Sequence, residues 1–342
     1  MRSASLLEYL RTKYDVQVAT FTLPHHTKHL AARAWRNGLR VVRGVPPLVD
    51  RFAGFEGQLA LEGRYGVAVI EHFWCAPYAD AIRPHCNVLV LDLHNIESEL
   101  AATHAGATGG LESMVHRRFA NVYRKLEREW IPKFDLILTA SEEDRKRIAH
   151  LNINVYPNAL PVIEVPHVAE ENCIVFSGNL EYHPNIEAVR WFASAIWPRL
   201  RERNKDLTWN LVGRNADAIR ALVKDDQRVR LTGPVDDAIA AIAAGRVVVV
   251  PLLSGSGTRF KILEAWAAQR AVVSTSIGAE GLGARDGEQL LIADDASSFA
   301  RTVQDLLDDR ARAQKIGAAG RALYLDRFTW PAAWKKLASA GI

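Results

Sequence analysis

The strongest constraint on the fold is an alternation of short apolar runs with segments of helical spacing in the second half of the chain. The runs, rich in Val, Ile and Leu, lie at 173–178, 207–213, 228–233, 246–253, 271–276 and 288–293. The helical segments lie at 185–200, 215–223, 235–243 and 258–268, followed by 296–308, 310–325 and 330–339. Strands that alternate with helices of this length form βα units around a parallel sheet covered by helices on both faces. The pattern therefore predicts a doubly wound α/β domain.

The first half repeats this alternation more loosely. Its predicted strands are 16–23, 67–71, 87–93 and 134–140, and its predicted helices are 3–13, 27–37, 112–130 and 141–150. The segment 160–171 carries two prolines and no helical spacing, so it is the predicted linker. We expect an N-terminal Rossmann-like domain over 1–164 and a second one over 165–328. A C-terminal helix over 329–342 is expected to pack back toward the first domain.

The N-terminus departs from the usual order of a doubly wound domain, which opens with a strand and a glycine-rich turn before its first helix. This sequence opens directly with the predicted helix 3–13. Either its start lies downstream of the natural one, or the domain is built differently. We therefore expect an N-terminal sheet that lacks its first strand, with an exposed apolar groove beside 16–23.

Composition excludes several classes of protein. The 342 residues suffice for about two domains with cores of their own. No apolar run approaches the ~20 residues of a membrane-spanning helix, and residues 1–15 lack the pattern of a signal peptide. A net charge of +4 is too small to indicate nucleic-acid binding. The three cysteines are scattered, which excludes a disulfide framework and favours a reducing cytoplasm.

The segment 251–282 is the densest candidate for chemistry. An apolar strand ends there at a turn of small residues, and a helix is predicted to begin at Thr258. Helix N-termini carry free N–H groups and partial positive charge that bind phosphate. Arg259 and Lys261 add positive charge in the first turn, and Glu264 lies on the same face as Lys261. A cation and a carboxylate so placed would suit a nucleotide diphosphate. The alternatives are a plain Gly-Ser turn and a solvated Lys261–Glu264 pair.

Longer motifs resemble one enzyme family. They are FSGNLEYHPNIEAVRWF (176–192), WNLVGRNA (209–216), VRLTGPVDD (229–237), PLLSGSGTRFKILEAWAAQRAVVSTSIGAEGL (251–282) and RFTW (327–330). Weaker motifs in the first half are DLHNIESEL (92–100), DLILTASEEDR (135–145) and VYPNAL (155–160). Together they resemble the retaining glycosyltransferases of family 4. The resemblance implies the GT-B architecture, in which two Rossmann-like domains face a cleft.

The resemblance also implies roles for individual residues. Glu264 would bind the ribose hydroxyls, and Lys261 with Arg259 would neutralise the diphosphate. The turn after the strand would reach the sugar and phosphate, while two further loops would border the base and one would lie under the diphosphate. The implied donor-binding residues are Gly178, Asn179, Gly213, Arg214, Val235, Ser254, Gly255, Ser256, Gly257, Thr258 and Glu264.

Two histidines are candidates in the first half. His72 and His94 each follow a predicted strand, and the carboxyl ends of such strands face the ligand crevice. In the family a histidine near this place contacts the reacting sugar or the acceptor, so the resemblance favours His94. The predicted catalytic set is therefore His94, Lys261 and Arg259. The alternative for either histidine is a hydrogen-bonded loop residue.

Three departures from the family pattern matter. The first glutamate of the family's E-x7-E motif falls on Ser256. Within 179–185 only His183 can be cationic, where many relatives carry Arg and Lys. The opening strand and glycine-rich loop of the first domain are not in the sequence. The last departure leaves open a chain that binds nucleotide without transferring sugar.

The predicted function is transfer of a sugar, with retention at the anomeric carbon, from a nucleotide-diphosphate sugar to a glycan or lipid-linked acceptor in cell-surface polysaccharide synthesis. The alternatives are the truncated nucleotide-binding chain and a sugar-nucleotide epimerase, which would need acidic residues at the sugar carbon. No cofactor besides the donor is expected. No metal is expected either, because the adjacent aspartate pairs have no His or Cys at ligand spacing.

A basic stretch precedes residue 50. Between 16 and 49 there is no Asp or Glu, and Trp35 and Leu39 interleave with five basic residues: Lys28, Arg33, Arg36, Arg40 and Arg43. Such a stretch is typical of a helix on a membrane surface and equally of a solvated helix face. The first interpretation predicts peripheral contact with the inner membrane face for a cytoplasmic protein.

Overall fold

The chain forms two compact units, each built on one parallel sheet. The computed structural model describes residues 2–20, 29–107, 109–255 and 257–342. One unit comprises Met1–Pro157 with Trp334–Ile342, and the other Asn158–Ala333. The two sheets give the α/β class that the sequence predicts. Among the described helices, none combines the length and the hydropathy that crossing a membrane requires.

The first unit contains a four-stranded sheet in the order β1-β2-β3-β4. Its strands are β1 Tyr65–Glu71, β2 Cys86–Asp92, β3 Leu136–Thr139 and β4 Ile153–Val155. Its α-helices are α1 Arg2–Arg11, α2 Leu30–Arg43, α3 Pro47–Phe52, α4 Ala79–Ile82, α5 Glu97–Ala107, α6 Gly110–Trp130 and α7 Glu142–Arg147. Short 3-10 helices occupy Glu56–Gln58, Phe73–Tyr78, Arg83–His85 and Ile131–Lys133. Apolar side chains from the sheet, α5 and α6 form its core.

The predicted strand over 16–23 is wrong over the part that the structure describes. Residues 15–20 have no regular structure and are mostly exposed, and 21–28 lie outside the described residues. A strand needs backbone partners, but here a side chain makes the contact: the Gln17 amide donates to the Ala60 carbonyl at 2.9 Å. Within the described residues, the sheet therefore begins at β1. It gains β4, which is too short to give a periodic signal in the sequence.

The second unit contains a six-stranded sheet in the order β10-β9-β8-β5-β6-β7. Its strands are β5 Cys173–Ser177, β6 Thr208–Val212, β7 Val229–Gly233, β8 Val247–Val250, β9 Ala271–Ser274 and β10 Leu291–Ile292. Its α-helices are α8 His183–Trp191, α9 Trp197–Arg203, α10 Asp217–Val223, α11 Ala238–Ala243, α12 Phe260–Ala267, α13 Ser276–Ala279, α14 Ala296–Asp308 and α15 Arg310–Arg327. A last helix, α16 Trp330–Ser339, begins in this unit and continues into the first. A π-helical turn, Phe192–Ile196, joins α8 to α9.

The strand order identifies where a ligand should bind in the second unit. The chain runs from β5 outward to β7, and then returns to add β8, β9 and β10 on the other side. The order therefore reverses between β5 and β8, which are neighbours. In open parallel sheets, ligands bind beyond the carboxyl ends of the strands at such a reversal point. Both strands are fully buried, as expected of strands covered on both faces.

The predicted linker is part of the second unit. The Leu160 amide donates to the Phe328 carbonyl at 2.9 Å, and the Trp330 amide donates to the Leu160 carbonyl at 3.0 Å. These bonds fasten the segment to the end of α15, so the division falls after Pro157, shortly before the boundary expected from the prolines.

The C-terminal residues pack within the first unit. The Trp334 indole N–H donates to Ser5 Oγ at 2.9 Å, and the Tyr9 hydroxyl donates to the Ile342 carbonyl at 2.7 Å. These contacts join α16 and the C-terminal residue to α1, so the first and last described segments of the chain pack together.

Candidate functional site

Two glycines fix the loops that follow β5 and β6. Gly178 and Gly213 have φ of 145° and 147°, a region that side chains rarely adopt. A Cβ on Gly213 would collide with the Gly178 carbonyl oxygen. The Gly178 amide donates to the Val212 carbonyl at 2.9 Å. The two predicted donor-binding loops are thus in direct backbone contact at the carboxyl edge of the sheet.

Lys261 lies beside the Gly178 turn. A Cβ on Gly178 would come within 3.2 Å of Lys261 Nζ. The ammonium donates to Asn185 Oδ1 at 2.8 Å and lies 5.0 Å from the centroid of the Phe176 ring. Burial lowers the pKa of Lys261 to about 8, although Glu264 acts in the opposite direction. Among the described residues, this ammonium has no carboxylate within salt-bridge distance, so it is available for an anionic ligand.

Glu264 is one helical turn from Lys261 and half-buried. Its carboxylate accepts a bond from Ser177 Oγ at 3.4 Å, at the end of β5. Burial raises the pKa of Glu264, while the charge of Lys261 and the bond from Ser177 lower it. The two residues are therefore not a solvated surface pair. They are separate polar groups held at the reversal point of the sheet.

Arg259 is bound to the protein more tightly than the sequence suggests. It is 5% exposed, and its Nη2 donates to the Gly255 carbonyl at 3.1 Å and to Glu280 Oε2 at 3.4 Å. Its Nε is buried without a partner in the described structure. The guanidinium thus holds the 254–258 turn through the Gly255 carbonyl. Its positive charge has a fixed position beside the turn.

The turn before α12 is anchored at both ends. Ser254 Oγ donates to Glu187 Oε2 at 2.5 Å, and Asn158 Nδ2 donates to Thr258 Oγ1 at 2.7 Å. Gly255 and Gly257 have φ of 121° and 83°. Ser256 lies outside the described residues.

The helix predicted over 258–268 is present and begins two residues later. Arg259 has φ −83° and ψ 60°, which is not helical, and α12 begins at Phe260. The turn is consequently longer than the sequence indicates. Glu187, on α8, was missed by sequence reasoning, and its spacing of four residues from His183 was the available signal. His183 Nδ1 lies 3.6 Å from Glu187 Oε2.

The remaining predicted donor-binding residues lie at the outer edge of the site. Asn179 Oδ1 accepts from Asn215 Nδ2 at 2.9 Å, and the Leu180 amide donates to the Arg214 carbonyl at 3.0 Å. The Arg214 side chain is exposed, and Val235 is 36% exposed. The structure therefore brings together Gly178, Gly213, Lys261 and Glu264, whereas Arg214 and Val235 face solvent.

A second polar group lies in the first unit, at the carboxyl ends of β1 and β2. Glu71 and Asp92 are paired in the register of these strands. His94 Nε2 lies 2.8 Å from Glu71 Oε2 and 3.5 Å from Asp92 Oδ2. Burial opposes protonation of His94, but hydrogen bonds to the two carboxylates outweigh it and raise its pKa. The predicted His94 is thus a loop residue whose imidazole is held in place by two carboxylates.

Arg2 completes this group from α1. Its Nε donates to both oxygens of Asp92, at 2.9 and 3.1 Å, and both residues are buried. Ser3 Oγ donates to Glu71 Oε2 at 2.9 Å. Sequence reasoning missed Arg2 and Glu71. Arg2 is 90 positions from Asp92 and Glu71 is 23 positions from His94, so neither pair has local spacing. The two carboxylates are brought together by the register of β1 and β2, which pairs Glu71 with Asp92.

His72 has unusual backbone and ring surroundings. Its φ is 69° and its ψ 139°, a conformation that non-glycine residues rarely adopt. Its ring lies 3.8 Å from that of His94 and stacks on Trp74 at 4.3 Å, measured between centroids. Burial, with the charge of His94, lowers the pKa of His72 to about 4. His72 is therefore neutral at physiological pH.

The match to a protein family lies within the second unit. The family described as "Glycosyl transferases group 1" matches residues 171–309. An uncharacterized 44.6 kDa protein in the cps region of Klebsiella pneumoniae is 34% identical over 141 residues, 39% of this chain and 36% of that protein. The phosphatidyl-myo-inositol mannosyltransferase of Mycolicibacterium smegmatis is 32% identical over 143 residues, 40% of this chain and 36% of that enzyme. The matches thus span about a third of each relative.

Solved structures share the fold over most of the chain. Sucrose-phosphate synthase from Thermosynechococcus elongatus superposes with a TM-score of 0.62 at 16% identity, covering 85% of this chain and 75% of that one. Anabaena Alr3699/HepE, solved with UDP and glucose, superposes with a TM-score of 0.60 at 16% identity, covering 80% and 77%. The chain therefore has the two-sheet α/β fold of GT-B glycosyltransferase structures, and its residues 171–309 match the family described as "Glycosyl transferases group 1".

Proposed function

We propose that this chain transfers a sugar from a nucleotide-diphosphate sugar to a glycan or lipid-linked acceptor, with retention at the anomeric carbon. The observation that carries the proposal is Lys261. Its ammonium is half-buried, lacks a carboxylate partner in the described structure and lies beside a glycine turn at the reversal point of the sheet. An anion there would compensate the buried charge, which is the arrangement that a diphosphate needs.

The donor is bound by the second unit in this proposal. Lys261 and the N-terminal end of α12 face the diphosphate, and Glu264 accepts hydrogen bonds from the ribose hydroxyls. When the bond between the anomeric carbon and the phosphate oxygen breaks, its electron pair stays on the diphosphate. The ammonium and the helix dipole then stabilise the developing negative charge. The diphosphate needs no metal ion in this arrangement, because fixed cations of the chain take that role.

His94 is the proposed contact for the reacting sugar or the acceptor. Its Nε2 is oriented by Glu71 and Asp92, so the ring position is set before a substrate arrives. Preorganisation of this kind lowers the cost of placing a hydroxyl group for reaction.

The proposed nucleotide, biological role and acceptor are inferred from what this chain is similar to. Anabaena Alr3699/HepE was solved with UDP and glucose, which favours a uridine donor. The relative from a cps region favours a role in cell-surface polysaccharide synthesis. The mannosyltransferase named for phosphatidyl-myo-inositol favours a lipid-linked acceptor. Retention rests on the resemblance of 173–330 to family 4.

Peripheral contact with a membrane is proposed for α2 and the start of α6. Trp35 and Val42 on α2 are 76% and 78% exposed, and Leu111 and Met114 on α6 are 77% and 67% exposed. Arg118 Nε on α6 donates to the Val41 carbonyl at 2.8 Å, so the two helices are adjacent. Four large apolar side chains on neighbouring helices form a surface that can enter the headgroup region of a bilayer.

The basic residues around this surface are fewer than the sequence suggests. Arg40 is buried and its Nε donates to Asp50 Oδ2 at 2.7 Å, so it braces α2 against α3. Lys28 and the side chain of Arg33 lie outside the described residues. Arg36 and Arg43 remain to contact anionic headgroups.

Product analysis tests the proposed reaction. The purified chain is incubated with UDP-, GDP- or ADP-sugars and with sugar or lipid-linked acceptors. Release of the nucleotide diphosphate and the anomeric configuration of the product are followed by NMR. We expect turnover with one nucleotide class and an unchanged anomeric configuration. Inversion would exclude the retaining mechanism, and nucleotide binding without turnover would establish a chain that binds nucleotide but does not transfer sugar.

A further inference from the structure

The cluster at the carboxyl ends of β1 and β2 is more than a support for one histidine. Side chains of successive residues in a strand point to opposite faces. Glu71 and His72 are successive, yet both contact His94: Glu71 through its carboxylate at 2.8 Å, and His72 through ring contact at 3.8 Å. The positive φ of His72 turns the chain so that both side chains reach one place.

This backbone conformation is costly. A non-glycine residue in such a region is strained, and residues of this kind concentrate at ligand sites. His72 Nδ1 is buried and has no hydrogen-bond partner in the described structure. An unsatisfied buried nitrogen adds a further cost. Both costs are explained if His72 Nδ1 faces a ligand.

The donor atoms of the cluster suit a divalent cation. Arg2 compensates Asp92 through a buried pair of hydrogen bonds. His94 is the basic partner of Glu71, and an ion would replace its proton at that carboxylate. With two imidazole nitrogens beside it, the cluster offers the mixed nitrogen and oxygen ligands that zinc-class divalent ions prefer.

Distances permit such an ion. One ligand atom from each of Glu71, His72 and His94 lies within 4.8 Å of the others. Ligands about 2.1 Å from a zinc ion are separated by roughly 3–4 Å, so small side-chain rotations close the site. Ser3 Oγ already holds the Glu71 carboxylate at 2.9 Å, as residues behind metal ligands commonly do.

We propose that Glu71, His72 and His94 bind one divalent cation of the zinc class, with water completing the coordination. The ion would be held by the first unit alone. The donor site is formed by the second unit, so the two proposals are tested separately. An ion would engage the ring nitrogen of His94 that lies beside Glu71, which leaves its other nitrogen for the contact proposed above. It also differs from the expectation drawn from the sequence, which considered only aspartate pairs and local spacing.

The test uses the full, tag-free chain after dialysis against a chelator. Zn²⁺ is titrated by calorimetry, and Co²⁺ is titrated by visible absorption. The variants are His72→Asn, which tolerates positive φ but lacks the imidazole, and Glu71→Gln, which keeps the shape of the side chain. His85→Asn is the matched control, because His85 belongs to the same unit and its Nδ1 bonds the Gly63 carbonyl at 3.1 Å, away from this cluster.

We expect one Zn²⁺ per chain and a cobalt spectrum without a thiolate charge-transfer band. Affinity should fall at least about tenfold in His72→Asn and in Glu71→Gln, and stay unchanged in His85→Asn. Glu71→Gln keeps the test decisive if His72→Asn fails to fold. Absence of saturable binding, equal affinity in all four proteins, or a thiolate band that moves the ion to a cysteine would each overturn the proposal.

Discussion

At the scale of single residues, Lys261 and Glu264 should have separable effects on catalysis. Lys261 faces the diphosphate, whose negative charge increases during transfer, and loss of one such donor typically costs about 10²–10³ in rate. Lys261→Ala should therefore lower kcat by about that factor. Glu264→Gln should mainly raise KM for the donor, because the ribose does not change during the reaction. Steady-state kinetics with varied donor concentration measure both. If both variants lowered kcat by the same factor and raised KM by the same factor, the two residues would not have separate roles.

The protonation of Lys261 predicts a pH dependence of donor binding. Its pKa is lowered to about 8 by burial, so the free protein loses this positive charge as the pH rises through about 8. The nucleotide prefers the protonated form, so its affinity should be highest below pH 8 and should fall above it. Calorimetric titrations of UDP between pH 6.5 and 9.5 measure the effect. A Lys261→Gln variant should show a much smaller change, and an identical pH profile in this variant would assign the effect to another group.

At the scale of elements, the contact between the β5 and β6 loops requires glycine. Gly213→Ala would introduce a Cβ into the Gly178 carbonyl and would also strain a φ of 147°. We expect a loss of about 3 kcal/mol in the free energy of unfolding and loss of nucleotide binding. Gly233→Ala is the control, since its φ is 70° but its Cβ would meet open space, and it should cost about 1 kcal/mol. Urea unfolding of both variants measures the difference, and similar losses would contradict the close backbone contact.

The exposed face of α2 and α6 predicts membrane binding that depends on apolar side chains. Trp35→Ala with Met114→Ala should reduce co-sedimentation with vesicles that contain anionic lipid by at least about fivefold, since each large side chain contributes about 1–2 kcal/mol when buried. Leu151→Ala is the control, because Leu151 is a fully exposed apolar residue elsewhere in the first unit. Equal binding by both proteins would leave this face as a solvated surface.

Elements could be predicted from sequence better than contacts between them. The six strands of the second unit were predictable because each is a β-branched run bounded by a change to helical spacing. The strand at 16–23 has the same local pattern, but over its described part it lacks a partner. Pairing is a property of the neighbouring strand, and periodicity within one segment does not contain it.

At the scale of the whole molecule, the polar groups were predictable only where one segment carries them. Lys261 and Glu264 share a helix face, so spacing brought them together. Asn185 and Glu187, which contact Lys261 and Ser254, come from a helix more than sixty residues earlier. The Arg2–Asp92 pair and the Glu71–His94 pair likewise join distant segments. Such contacts follow from strand order and register, which the sequence of one chain does not state.

The central claim is that the second unit binds a nucleotide diphosphate at Lys261, and calorimetric titration with UDP, GDP and ADP tests it most directly. The proteins compared are the wild type, Lys261→Met and Lys224→Met, the last an exposed lysine at the end of α10 in the same unit. The account predicts saturable binding of one of the three nucleotides by the wild type and by Lys224→Met, and at least about tenfold weaker binding by Lys261→Met. Equal affinity in Lys261→Met and the wild type would contradict the account and place the nucleotide elsewhere.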